Sequence, residues 1–81
     1  MLSAPLMTTD DLRDLFVTTL TRQAGGERRR WRIALGEIRV HSIATHSHCN
    51  WSIAPSGAVR EVAAIERVSD DLRMRHPIVT D

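Results

Sequence analysis

The sequence lacks several residue types, and each absence narrows what the chain can be. Among its 81 residues there is no lysine and no tyrosine, and there is one phenylalanine and one cysteine. A single cysteine cannot form an internal disulfide, which predicts a protein of the reducing cytoplasm. No apolar run approaches the ~18–20 residues of a membrane span. The first residues, MLSAPLMTTDD, do not resemble a signal peptide either.

What is present is ordinary for a folded domain. The apolar fraction is 42% and the charged fraction is 26%, which argues against disorder. All eleven basic residues are arginine, a usage that is typical of GC-rich coding sequence and predicts a small bacterial protein. We predict one domain over residues 8–76, preceded by a flexible leader at 1–7 and followed by a C-terminal tail at 77–81.

The charges are unevenly distributed along the chain, although their sum is only +1. Residues 22–60 carry seven arginines against two glutamates, a net +5, whereas residues 1–21 and 61–81 each carry −2. The middle of the chain is therefore basic and its ends are acidic, so an anionic partner would meet the middle.

Helical periodicity predicts one helix near each end of the chain. In TTDDLRDLFVTTLTRQAGG, apolar residues recur at helical spacing between a threonine cap and a Gly-Gly stop, which predicts a helix at about 9–23. A second helix is predicted after Ser56, whose residue type favours the N-cap, and should end near Arg75 because His76 precedes Pro77. Its inner stripe would comprise Ala58, Val62, Ile65, Ser69 and Leu72, flanked by Val59 and Val68.

Three strands are predicted between the helices. Trp31, Ile33 and Leu35 alternate with polar or small residues, which is strand period, and Gly36-Glu37 has the form of a type II′ hairpin turn. The second strand would cover residues 38–45 and the third would lie around Trp51. The register that keeps the apolar faces together pairs Ala44 with Trp51 and Ser42 with Ile53, leaving a four-residue loop at 46–49.

The predicted fold class is α+β, with the order α-β-β-β-α and both helices packed on one face of a three-stranded antiparallel sheet. This element order is similar to that of double-stranded-RNA-binding domains, and the resemblance is one of architecture. In the stretch PSGAVREVAA, where those domains carry a lysine-rich motif, the only basic residue is Arg60. The predicted core is Leu12, Leu15, Phe16, Leu20, Trp31, Ile33, Leu35, Ile38, Val40, Trp51, Ile53, Val62, Ile65 and Leu72.

The leading functional hypothesis concerns an arginine-rich face of this sheet. Its members are Arg30, Arg32, Arg39 and His41, extended by Arg28 and Arg29. Like charges side by side do not favour folding, so the face would serve a non-enzymatic module that docks an anionic partner. That partner would be an acidic protein surface or nucleic acid, or the face would simply be a solvated one. The free edge of the first strand would also allow a homodimer.

The alternative hypothesis concerns HSIATHSHCN, residues 41–50, which holds three of the four histidines and the only cysteine. His46, His48 and Cys49 could bind zinc or form a thiol-dependent site. In an extended strand His41 would lie roughly 15 Å from His46, at ~3.3 Å per residue, so zinc would lack a fourth ligand. We therefore expect neither a cofactor nor catalysis, with zinc as the alternative.

Overall fold

The computed structural model describes residues 6–80 and contains three helices and one short hairpin. The elements are α1 (Thr9–Ala24), α2 (Arg28–Leu35), β1 (Arg39–Val40), β2 (Trp51–Ser52) and α3 (Val59–Arg75). The three helices all contact one another, and β1 pairs with β2 in antiparallel fashion. The predicted three-stranded sheet with two helices is wrong, because the first predicted strand is a helix. The resemblance to double-stranded-RNA-binding domains depends on that strand, so the structure does not support it either.

Helix α1 lies where the sequence predicts a helix. The Thr8 hydroxyl accepts a hydrogen bond from the Asp11 amide at 3.1 Å, and the Asp11 carboxylate accepts one from the Thr8 amide at 3.2 Å. This reciprocal capping box satisfies two amides that the helix itself cannot. The helix ends at Gly25, whose amide donates to the Thr21 carbonyl at 3.0 Å.

Helix α2 replaces the first predicted strand because its apolar residues also fit a helical period. Trp31, Ala34 and Leu35 are buried, at spacings of three and four from Trp31, and Ile38 is buried just after the helix. Ile33, which the strand would place in the core, is 58% exposed. Gly36 has a positive φ of 70° and its amide donates to the Arg32 carbonyl, so it ends a helix rather than turning a hairpin.

The hairpin has a different register and a longer loop than predicted. Arg39 is opposite Ser52, and Val40 is opposite Trp51, the position that the predicted register gives to Ala44. The chain leaves the strand because a turn follows: the amides of Thr45 and His46 both donate to the Ser42 carbonyl, at 3.1 and 2.8 Å. The connection between the strands is therefore residues 41–50 and not 46–49.

Helix α3 ends at Arg75 and buries Ile65, Ser69 and Leu72 as predicted, but it begins later and its buried side is shifted toward Ala64 and Val68. Its N-cap is Ala58 rather than Ser56, and the Ser56 amide instead donates to the Ala34 carbonyl at 2.8 Å. Val59, predicted to flank the inner stripe, is 87% exposed. The residues that α3 buries are Ala64, Ile65, Val68, Ser69 and Leu72.

The hairpin and the segment after α3 complete the core. Trp51 packs edge-on against Phe16, with ring centroids 5.7 Å apart, and its indole N–H donates to the His76 carbonyl at 2.9 Å. The buried Asn50 side chain accepts from the Val79 amide and donates to the Val79 carbonyl. The predicted tail thus lies against the fold as far as residue 80, where Thr80 bridges to Thr8. Most of the predicted leader, and Asp81, lie outside the described residues.

The core so formed differs from the predicted one in a few members. It comprises Leu12, Phe16, Val17, Leu20, Trp31, Ala34, Leu35, Ile38, Trp51, Ala64, Ile65, Val68, Leu72 and Val79. Leu15, Val40 and Ile53 are only partly buried against it. Over residues 6–80, no helix combines the length and apolar character needed to cross a bilayer.

Candidate functional site

The helical geometry of α2 separates arginines that a strand would place together. In a strand, Arg28, Arg30 and Arg32 would share one face. In a helix each residue turns by ~100°, so Arg28 and Arg30 point in roughly opposite directions. The predicted arginine-rich sheet face therefore does not form, and α2 presents basic side chains toward α1, toward α3 and toward solvent.

On the side of α1, Arg28 is held by an exposed ion pair. Its guanidinium donates to the Asp14 carboxylate at 2.8 Å and to the Thr18 hydroxyl at 3.1 Å. Arg32 lies one helical turn further along and, with Asp10, Arg13 and Asp14, lines a shallow depression beside α1. Within residues 6–80, no carboxylate oxygen comes within 4.0 Å of the Arg32 guanidinium.

On the side of α3, Arg30 forms a bidentate pair with Glu61. Its Nε and Nη2 atoms each donate to one Glu61 oxygen at 2.8 Å, and Glu61 Oε1 also accepts from the Ala58 amide at 2.9 Å. The hydrogen bonds from Arg30, and then that from Ala58, lower the pKa of Glu61 to about 2. Glu61 in turn raises the pKa of Arg30 above its ordinary value, first by hydrogen bonding and then by charge.

Gly57 makes room for this pair. A Cβ atom at this position would lie 2.7 Å from Glu61 Oε1 and 3.4 Å from Arg30 Nη2. Its φ of 122° also belongs to a region that L side chains rarely adopt. The backbone before α3 therefore favours glycine, and an added Cβ atom would displace the carboxylate that caps the helix.

The side of α2 that faces solvent combines an apolar residue with basic ones. Arg29, Arg32 and Ile33 lie three and four residues apart, so they share this side, which we call the outer face. Ile33 is 58% exposed. Like Arg32, Arg29 has no carboxylate within 4.0 Å in the part of the chain that the structure describes.

The other two residues of the predicted face belong to the hairpin. Arg39 is exposed on β1. His41 is half-buried, with Nε2 at 2.8 Å from the Ser52 hydroxyl, and its ring stacks on His46 with centroids 4.3 Å apart. The predicted separation of these two histidines is wrong, because the turn at Ser42 folds the chain back on itself.

The histidine-rich loop does not bring its candidate ligands together. The two stacked rings are inclined by only 17°, and imidazole binds metals through a lone pair in the ring plane, so they cannot both direct one at a single ion. His46 Nδ1 lies 2.9 Å from the Thr45 hydroxyl, and His48 is exposed. Between residues 6 and 80, no group of three or more His, Cys, Asp or Glu side chains is arranged to hold a metal ion.

The hydrogen-bond partners of the Cys49 thiol among residues 6–80 are Trp51 and Arg73, and neither is a histidine that could act as the general base of a thiol catalyst. Its thiol donates to the Trp51 carbonyl at 3.5 Å and accepts from the Arg73 guanidinium at 3.4 Å. Arg73 also lies over the Trp51 ring, 4.7 Å from its centroid. These contacts fasten the hairpin to α3 and give the half-buried cysteine a packing role.

A cleft that sequence reasoning missed lies between the end of α1, α2 and the first half of α3. We call it the arginine cleft; its volume is about 570 Å³. Its lining comprises Ala24, Gly25, Gly26, Glu27, Arg30, Trp31, Ala58, Arg60, Glu61, Ala64 and Arg67. The spacing of Arg60, Ala64 and Arg67 shows that they share a helix face, but the opposite wall exists only because residues 28–35 are helical.

No protein-family model matches this chain, and no curated protein or solved structure matches it. The function must therefore be argued from its surfaces, and two of them have the character of binding sites: the outer face of α2 and the arginine cleft.

Proposed function

We propose that the chain is a non-enzymatic interaction module that docks an acidic segment of a partner protein on the outer face of α2. The observation that carries the proposal is Ile33, an apolar side chain 58% exposed beside Arg29 and Arg32, which have no carboxylate partner among residues 6–80. Protein interfaces are enriched in arginine and combine it with apolar side chains. Its setting would be the cytoplasm, as the single cysteine suggests.

The aromatic residues favour a protein partner over nucleic acid. Phe16, Trp31 and Trp51 are all the aromatics that the chain contains, and all are at most 7% exposed. None is therefore available for base stacking, and a phosphate backbone would gain nothing from contact with Ile33. A segment with carboxylates around an apolar side chain would satisfy both parts of the outer face.

Binding of designed peptides tests the proposal. The probe is a labelled peptide with leucine and glutamate at helical spacing, and its control has glutamine for each glutamate. We expect fluorescence anisotropy to show binding of the acidic peptide only, weakening with salt because the charges are exposed. Ile33→Asp should lower the affinity at least tenfold, as should Arg29→Glu with Arg32→Glu.

A matched variant in the hairpin provides the control. Ile43 is 53% exposed, nearly as much as Ile33, but lies in the loop between the strands. Ile43→Asp should leave peptide affinity unchanged, and an equal loss in both variants would contradict the proposal. Tight binding of mixed-sequence RNA that survives Ile33→Asp, with no peptide binding, would instead support the nucleic-acid hypothesis.

A further inference from the structure

The arginine cleft is built from two walls with different chemistry. The link between α1 and α2 contributes the Gly25 and Gly26 backbone, and α2 contributes the indole of Trp31, whose N–H donates to the Gly25 carbonyl at 2.7 Å. Helix α3 contributes Arg60, Ala64 and Arg67, four and seven residues apart on one face. Apart from Trp31, the uncharged residues of the lining are alanine and glycine, whose small side chains leave the cleft open.

The charges that line the cleft are not balanced. Glu61 is occupied by Arg30 and by the Ala58 amide. Arg60 and Arg67 have no carboxylate within 4.0 Å in the described range 6–80, which leaves the exposed Glu27 as the other acid of the lining. Arg60 and Arg67 both line the cleft and are exposed.

We propose that the arginine cleft binds a small anion with an apolar body, such as a phosphate monoester or carboxylate on a ring. Arg60 and Arg67 would bind the anionic group, since their Cα atoms lie ~10 Å apart along α3 and both side chains can converge above Ala64. Ala24, Ala58 and the small exposed part of Trp31 would contact the apolar body. The volume of about 570 Å³ lies within the range of small-molecule sites.

This site is separate from the outer face of α2, so the two proposals can fail independently. Its test is a titration followed by amide and indole NMR shifts, with 1-naphthyl phosphate and 1-naphthoate as probes. We expect either or both to shift the resonances of Gly25, Gly26 and the Trp31 indole N–H. Inorganic phosphate and 1-naphthol, which each supply half of the chemistry, should bind at least tenfold more weakly. If neither probe binds more tightly than phosphate and naphthol, the proposal is wrong.

Variants of exposed residues locate the binding without disturbing the core. Arg60→Gln and Arg67→Gln should each lower affinity about tenfold, because each removes a charged hydrogen bond to the anion. Ala24→Trp should block the cleft from its exposed end. Arg22→Gln, a change outside the lining on α1, and Ile33→Asp should leave binding unchanged. Binding that persists in the Arg60→Gln, Arg67→Gln double variant, folded by circular dichroism, would overturn the proposal.

Discussion

Two ion pairs hold α2 from opposite sides, and both have a shortest N–O distance of 2.8 Å. Toward α1, Arg28 makes one contact with an Asp14 side chain that is 68% exposed. Toward α3, Arg30 makes two contacts with a Glu61 side chain that is 17% exposed and that also caps a helix. The two pairs therefore differ in how much they stabilise the fold, although their distances are equal. Fixed geometry and reduced exposure to solvent determine what an ion pair contributes to stability.

The largest loss of stability is expected from a change on the buried side of α2, at Trp31. Trp31→Ala should lower the free energy of unfolding by ~3–5 kcal/mol, because it empties a core position. Ile33→Ala should change it by less than ~0.5 kcal/mol, because that side chain faces solvent. Urea unfolding measures both. Similar losses in the two variants would contradict the helix, since only a strand turns residues 31 and 33 to the same side.

Gly57→Ala should have the next largest effect and bears on the α3 side alone. We expect a loss of ~1–3 kcal/mol from backbone strain, together with displacement of the Glu61 carboxylate from Arg30. Gly36→Ala is the matched control, because Gly36 also has a positive φ but a Cβ atom added there would meet nothing within 4 Å. Gly36→Ala should therefore lower the free energy of unfolding by less than Gly57→Ala. Equal losses in urea unfolding would mean that contact between the added Cβ atom and the ion pair does not affect stability.

The residues around α2 show what could be predicted from the sequence and what could not. Helix α1 is specified locally by Thr8, Asp11 and Gly25, so its bounds were predictable within a residue. Residues 28–35 fit both the strand period and the helix period, because Trp31 and Leu35 point inward in either conformation. The choice depends on Ala34 being inward and Ile33 outward, and on Asp14 and Glu61 lying on opposite sides of α2. Those are tertiary facts that a single segment does not contain.

The same dependence on tertiary packing decides which parts of the candidate site could be predicted. The basic middle of the chain and the role of Arg29 and Arg32 as exposed cations follow from composition and helical spacing. The arginine cleft does not, because its walls come from residues 24–31 and 58–67, and their approach depends on how α2 packs against α3. The predicted conformation of the histidine loop is wrong because the turn at Ser42 uses only hydroxyl and backbone groups. Such a turn leaves a weak signal in the sequence.

Lowering the pH should weaken the ion pair on the α3 side of α2, because Glu61 becomes protonated. Its pKa is about 2 in the folded chain, below its ordinary value of 4.5. A lowered pKa in the folded state means that the stabilisation is fully present above about pH 4.5 and is lost as the pH falls toward 2. Thermal melts of the wild type should therefore decline more steeply over this range than those of Glu61→Gln. Parallel declines would contradict the assigned role of the pair.

The smallest effect is expected at the α1 side. Asp14→Asn should cost only ~0.2–1 kcal/mol, because an exposed pair gains little over the solvated charges. Moderate salt should remove most of that difference, since the pair is screened. Urea unfolding at two salt concentrations measures both effects. A loss at Asp14 as large as that for Glu61→Gln would break the distinction between the two sides.

The bridge between Thr8 and Thr80 has a consequence for the order in which the molecule assembles. These two positions are almost as far apart in sequence as the described chain allows, so closing them loses more chain entropy than contacts between residues nearer in sequence. That loss is repaid only once the helices between them have packed, which makes this bridge a late event in folding and an early one in opening. Hydrogen exchange at the amides of Thr9 and Thr80, which close this seam, should report partial opening while the amides in the interior of α1 and α3 stay protected.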